Sequence, residues 1–288
     1  MSEKKFHPEK KFHPEISIIL PSLRPEAALE RIKEFAVTNQ DADYEIVLIG
    51  PFVVKENRVV HVEEKKPLGN IIAYNFGYKH SSGEYVAWWS DDCSPTPHCL
   101  SNMLRFMRNK KPPFIGSFRK KDTQGKECLQ LQIYNRFYAC WGCTSRESID
   151  IMGEYFFNPA LRSNGGDVDI GLRAWAKGGS VEVCPNSWVR LDDIEDNIKE
   201  KNLNNYYYKD AETLLNQWHH VFGKGMKKDP FLVNKRVLVY EGILSYFPSF
   251  CRPLVIKTGE TVYSKLKSVP FFKKILIKIM HVLMNCTY

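Results

Sequence analysis

Apolar positions fall in short unbroken runs and in helical stripes, and the two alternate over the first 90 or so residues. ISIILPS, residues 16–22, is β-branched and stops at Pro21, the pattern of a buried strand. In PEAALERIKEFAVTNQ, Pro25 suits the first helical position, and Ala28, Ile32, Phe35 and Ala36 share one face. YEIVLIGP, residues 44–51, and RVVHVEE, residues 58–64, predict a second and a third strand. GNIIAYNFGYKHSSG, residues 69–83, predicts a helix closed by Gly83. EYVAWW, residues 84–89, is a fourth strand that delivers Asp91 and Asp92 at its C-terminal end. Beyond about residue 110 the pattern is mixed. Short strands are expected in LQLQIYNRFYACWG, residues 129–142. A helix stopped by Gly178 is expected in VDIGLRAWAKGG, and another in NNYYYKDAETLLNQWHHVF, residues 204–222.

Strands alternating with helices imply a mainly parallel sheet with right-handed crossovers. Ligands of such sheets bind outside the carboxyl ends of the strands, where Asp91 and Asp92 are expected. An α/β nucleotide-binding half follows from this pattern. There is no Walker A loop, and no GxGxxG after the first strand, which excludes the commonest phosphate loops.

Composition narrows the class without naming it. The 288 residues are 43% hydrophobic and 26% charged, an ordinary globular balance. A net charge of +8 favours an anionic partner and leaves nucleic acid, acidic lipid and nucleotide phosphate open. Of the eight cysteines only Cys140 and Cys143 form a CxxC, with no second pair and no histidines at finger spacing, so scattered reduced thiols are expected. No secretory leader and no apolar run of membrane-spanning length is visible, and a reducing cytoplasmic setting is expected. Residues 4–15 are a tandem hexapeptide, KKFHPE twice, expected to be a flexible leader over residues 1–15.

Two constellations could carry chemistry. Adjacent carboxylates repel, and a hard divalent cation taking one or two carboxylates plus substrate phosphates would relieve Asp91 and Asp92. A turn in which one of them caps a backbone N–H explains them equally simply. The second constellation is GGDVDIGLRAW, residues 165–175, in which Asp167 and Asp169 follow a double glycine at a helix start. Helix capping accounts for acids there. A general base at a pocket mouth is the chemical alternative.

Together these segments resemble the family 2 glycosyltransferases of the GT-A fold. ISIILPSLRPE resembles the opening strand, and GNIIAYNFG resembles a helix with an Ala-x-Asn-x-Gly core at Ala73, Asn75 and Gly77. SGEYVAWWSDD resembles the strand ending in a DXD-type metal motif, and residues 141–179 resemble the acceptor-side segment. The resemblance spans about 160 residues, from Ile16 to Trp175. It implies a metal-dependent inverting transferase that moves a sugar from a nucleoside-diphosphate donor, UDP- or GDP-linked, to a hydroxyl on a glycan or lipid-linked acceptor. Nucleic acid is then not the partner. Asp167 would be the base and Asp92 the ligand of Mn²⁺ or Mg²⁺. Pro21, Ser22, Arg24, Asn75 and Asp91 would line the donor, with Asn75 alternatively holding its loop. Trp141 and Asp169 would face the acceptor, with Trp141 alternatively in the core and Asp169 alternatively a capping neighbour. Arg190, Asp192 and Asp193 could close over the diphosphate.

The implied organisation is a catalytic domain over residues 16–225, with a donor half to 110 and an acceptor half from 111, then a helical extension over 226–288. Residues 270–285 form a basic amphipathic stripe. They suit peripheral contact with an anionic membrane, or packing within the domain or in a homo-oligomer. Three departures stand out. Ser90 replaces the first acid of the metal motif, Gly166 replaces the glutamate before the base, and the second strand ends in Ile49-Gly50-Pro51 rather than an acidic pair. They leave the nucleotide base open and support a competing reading, a non-catalytic nucleotide- or sugar-binding relative. A nucleotidyltransferase would need a Gly-rich basic loop after the first strand, where only Arg24 is on offer. A two-carboxylate glycosidase has no need of a strand-end metal motif.

Overall fold

The computed structural model describes residues 13–153, 155–192, 197–226, 228 and 234–237. The leader before residue 13, Asp193 and the 270–285 stripe lie outside them.

The first half forms as the apolar runs dictate. Strand β1 is Ile16–Pro21, β2 Tyr44–Gly50, β3 Val59–Glu63 and β4 Tyr85–Trp88. Helix α1, Pro25–Thr38, links β1 to β2, and α2, Asn70–His80, links β3 to β4. A short strand β5, Cys93–Pro95, and helix α3, Cys99–Met107, follow the acids. The second half adds β6 Phe114–Lys121, β7 Gln130–Ile133, β8 Arg136–Tyr138 and β9 Gly142–Ser145. It continues with α4 Arg146–Met152, α5 Gly166–Ala176, β10 Ser180–Leu191, α6 Asn197–Phe222 and β11 Asn234–Val237.

Eight strands make one sheet in the order β3-β2-β1-β4-β9-β6-β10-β5. The run β3-β2-β1-β4 is parallel, as is β6 with β10, while β9 is antiparallel to both its neighbours. A small antiparallel sheet, β11-β7-β8, stands beside it. After β1 the chain steps outward to β2 and β3, then returns to place β4 on the other side of β1. That reversal is a topological switch point, and the crevice beyond β1 and β4 is where such sheets bind ligands.

Strand alternation divides the core into two layers. Ile19, Val47, Ile49, Val86 and Trp88 pack with α2 and α5 residues on one face. Ile18, Leu20, Ile46, Leu48, Ala87 and Trp89 pack with α1 and α3 on the other. Consecutive tryptophans thus enter opposite cores, which is why the apolar run ends on a double aromatic.

Three expectations are corrected in detail. Ala36 is exposed, and α1 instead buries Arg31 beside Ala28, Ile32 and Phe35. Helix α2 ends at Ser81, whose hydroxyl donates to Tyr78 O at 2.7 Å, before Gly83 is reached. The mixed region beyond residue 110 holds the long strands β6 and β10, which the polar endings FRKK and PNSWVRL disguised. Helix α5 does end at Lys177, with Gly178 left-handed at φ 77°. Among the described residues no helix is long and apolar enough to cross a membrane.

Candidate active site

The switch point brings the ends of β1 and β4 into direct contact. Ser22 Oγ donates to Asp91 Oδ2 at 2.5 Å, and Arg24 Nη1 to Asp91 Oδ1 at 2.7 Å. The Asp91 carboxylate is therefore committed on both oxygens and is nearly buried. Burial raises its pKa, and the Ser22 and Arg24 bonds oppose that rise. Asp91, Ser22 and Arg24 thus form a clamp that fixes the mouth of the crevice, with Pro21 at its edge.

Asp92 points elsewhere. It is half-buried, and Ser90 Oγ donates to its Oδ1 at 2.5 Å. Its backbone carbonyl accepts from Asp192 N at 2.9 Å, which ties the β4 turn to the end of β10. Asp192 itself is held by Arg31 at 2.7 Å, by Ser94 at 2.7 Å and by Arg190 at 3.2 Å. Asp192 and Arg190 therefore brace the end of β10 against the β4–β5 turn and α1.

Among the described residues no cluster of three or more metal-ligating side chains exists. A cation resting on one carboxylate and completed by diphosphate oxygens needs no such cluster. One half-buried hard oxygen ligand at a strand end, oriented by a hydroxyl, fits that kind of site. Asp91 is already engaged on both oxygens, by Ser22 and Arg24.

Asp167 sits in the first turn of α5, and its own Oδ1 accepts from Val168 N at 2.9 Å. Burial raises its pKa from 3.8 to about 6, against the opposing effects of backbone N–H groups, the Lys120 ammonium and the Cys140 thiol. The Tyr74 hydroxyl donates to Trp89 O at 2.6 Å and lies within electrostatic reach of Asp92, Asp91 and Asp167. Its pKa is raised far above the usual phenol value, first by burial and then by those carboxylates. The two acid constellations, 75 residues apart in sequence, therefore converge around one phenol.

The loop that carries Asp167 is pinned from α6. The buried Asp210 carboxylate accepts from the backbone N–H groups of Arg162, Ser163 and Asn164 at 3.0, 2.8 and 2.9 Å. Asp169 differs from the acceptor-facing position expected of it. It is wholly buried and accepts from Arg173 Nε at 2.9 Å, Trp218 Nε1 at 2.9 Å and Gln217 Nε2 at 3.2 Å. Its work is to lock α5 against α6. Asn75 is likewise spent on the fold, donating to Phe157 O at 2.7 Å and accepting from Phe157 N at 2.8 Å. It holds its loop, the second of the two roles open to it.

Trp141 is half-buried, and its indole N–H donates to Ser90 Oγ at 2.9 Å. Three residues near the site were not assigned to it from sequence: Lys120, Tyr74 and Cys140. Tyr74 lies in the segment between Ala73 and Asn75, and Cys140 stood out only as half of the CxxC.

Two of the departures have packing reasons. A Cβ on Gly50 would stand 2.6 Å from Ser22 O, so β2 cannot end in a larger residue without moving the clamp. A Cβ on Gly166 would meet Ile71 and stand 3.0 Å from the Phe157 ring, so a glutamate there would have to push both side chains aside.

With this geometry in view, known proteins supply the comparison. Residues 43–157 match the model of Glycosyl transferase family 2. A crystal structure of S. aureus TarS 1-349 in complex with UDP-GlcNAc is similar at 13% identity with a TM-score of 0.51, covering 70% of this chain and 65% of that one. A second crystal structure, of S. aureus TarS 1-349, gives 13% identity, a TM-score of 0.49, and 70% and 64% coverage. The chain thus spans just under two thirds of the TarS chains. No curated protein matches it. The architecture is that of the GT-A fold, a curled and mainly parallel sheet flanked by helices.

Proposed function

We propose that this protein transfers a sugar, with inversion, from a nucleoside-diphosphate donor to an acceptor hydroxyl. The observation that carries the reading is the convergence of a strand-end acid, Asp92, with a part-buried carboxyl tuned to about 6, Asp167, on a GT-A sheet. The family match over residues 43–157 supports it.

An acceptor hydroxyl attacks slowly unless a base takes its proton as it does so. Asp167 has the attributes of that base. It is ionised at neutral pH, and it is more basic than an ordinary aspartate because burial penalises its charge. Asp92 would hold the divalent cation, Mn²⁺ or Mg²⁺, which supplies charge stabilisation to the departing diphosphate. The Ser22–Arg24–Asp91 clamp would set the crevice width for the nucleotide. Trp141 offers an apolar ring edge at the floor, suited to the flat face of a sugar. A donor of the UDP-linked class is the first to test, since TarS was solved with UDP-GlcNAc.

Thermal unfolding with nucleoside diphosphates, with and without Mn²⁺, tests the donor half. A ligand at about 100 times its Kd adds about 2.7 kcal/mol of stability. The expected result is a Mn²⁺-dependent shift with UDP or GDP, lost in Asp92→Asn. A shift that Asp92→Asn retains would remove Asp92 from the metal role. The absence of any shift would favour a relative that has given up donor binding.

A further inference from the structure

Ser90 departs from the first acid of the metal motif, and its hydroxyl has two partners in the fold. Trp141 Nε1 donates to Ser90 Oγ at 2.9 Å, and Ser90 Oγ donates to Asp92 Oδ1 at 2.5 Å. Chemistry fixes the direction of both bonds. An indole N–H can only donate, so it occupies a lone pair of the hydroxyl and leaves the single hydroxyl proton for the carboxylate. Asp92 Oδ2 has no hydrogen-bond or ion-pair partner among the described residues. The start of this relay is held firmly. Trp141 O accepts from Phe118 N at 3.0 Å, and two residues earlier Ala139 O accepts from Trp88 Nε1 at 2.9 Å. Gly142 lies so close to Trp88 that a Cβ on it would stand 2.2 Å from the ring. The segment is thus pinned on both sides of the indole. At the other end, the Asp92 backbone is tied to Asp192 N at 2.9 Å, so the relay has only the Asp92 side chain to orient.

We propose that Trp141 and Ser90 are positioning residues, a relay that turns the Asp92 carboxylate so that Oδ2 is the oxygen offered to the divalent cation. The inference rests on the reading of Asp92 as the metal ligand. Hydrogen-bond partners of ligating carboxylates set their orientation, and losing one typically lowers metal affinity by about 10–100-fold. A hydroxyl suits this task better than the acid it replaces. An ionised acid cannot donate to Asp92, and its charge would repel that of Asp92. Ser90 is on this account a donor to the ligand in place of a second ligand.

The test is a Mn²⁺ titration followed by electron paramagnetic resonance, with saturating UDP and, in parallel, GDP. It compares the wild type with Ser90→Ala, Ser90→Thr, Trp141→Phe and the double variant Ser90→Ala with Trp141→Phe. Circular dichroism checks the fold of each, and no turnover is needed. Ser90→Ala is expected to weaken Mn²⁺ binding by about 10–100-fold. Ser90→Thr keeps the hydroxyl and should keep most of the affinity. Trp141→Phe keeps an aromatic ring, loses the N–H and should also weaken Mn²⁺. Because Trp141 acts through Ser90, its effect should vanish once Ser90 is alanine, so the two losses do not add. Additive losses overturn the proposal, as does an unchanged Mn²⁺ affinity in folded Ser90→Ala. Should Trp141→Phe not fold, the contrast of Ser90→Ala with Ser90→Thr decides. A wild type that binds no Mn²⁺ with either nucleotide overturns the metal reading of Asp92 and the relay with it. Binding that the variants leave unchanged removes the relay alone.

Discussion

Asp167→Asn should make the protein more stable and far less active at the same time. The native carboxyl binds its proton more tightly than the unfolded chain does, because burial lifts its pKa from 3.8 to about 6. Stability is therefore fully present below the unfolded value and is lost as pH rises through that window. At about 1.4 kcal/mol per pH unit, the cost of the ionised carboxylate at neutral pH is about 3 kcal/mol. Asparagine keeps the shape and can still accept from Val168 N, but it carries no charge. Urea unfolding across pH is the assay. The variant is expected to exceed the wild type by about 2–3 kcal/mol at neutral pH, with the gap closing as pH falls below the wild-type carboxyl's own range. Turnover should fall by about 10²–10⁴-fold, the usual contribution of a general base. The wild-type rate should show an acid limb near the Asp167 value of about 6. A variant that is less stable at neutral pH, or a gap that ignores pH, would refute the assignment of burial as the dominant cause.

Arg24→Met strips the clamp of its cation and leaves Asp91 buried beside Ser22 alone; a loss of about 3 kcal/mol in urea unfolding is expected. Asp169→Ala removes the carboxylate shared by Arg173, Trp218 and Gln217. It should cost about 3–5 kcal/mol and release α6 first, read as faster hydrogen exchange at the Trp218 indole. Gly166→Glu restores the acid of the family pattern but collides with Ile71 and Phe157. It should lower stability by about 1–3 kcal/mol and not raise turnover.

How much of this was legible in sequence depends on whether the signal was local. Strand β1, helix α1 and strands β2 to β4 declared themselves, because each is a contiguous apolar run or stripe with its own stop. Asp91, Asp92 and Asp167 were legible as acids at element ends. Their division of labour was not. That Asp91 is spent on Ser22 and Arg24 depends on β1 and β4 lying side by side, a fact of topology. Asp169 and Asp167 are two residues apart and looked alike. Positions two apart on a helix diverge by about 200°, so only Asp169 faces α6. Lys120 was invisible because FRKK reads as the polar end of a strand. Only the insertion of antiparallel β9 between β4 and β6 brings Cys140 and Trp141 against it.

The most direct test of the central claim is proton NMR of the sugar first released or transferred from an α-linked nucleotide-sugar in the presence of Mn²⁺. The account predicts that the nucleoside diphosphate appears together with a sugar of β configuration, and that both are lost in Asp167→Asn. A first-formed α product, or turnover that survives in Asp167→Asn, would contradict it.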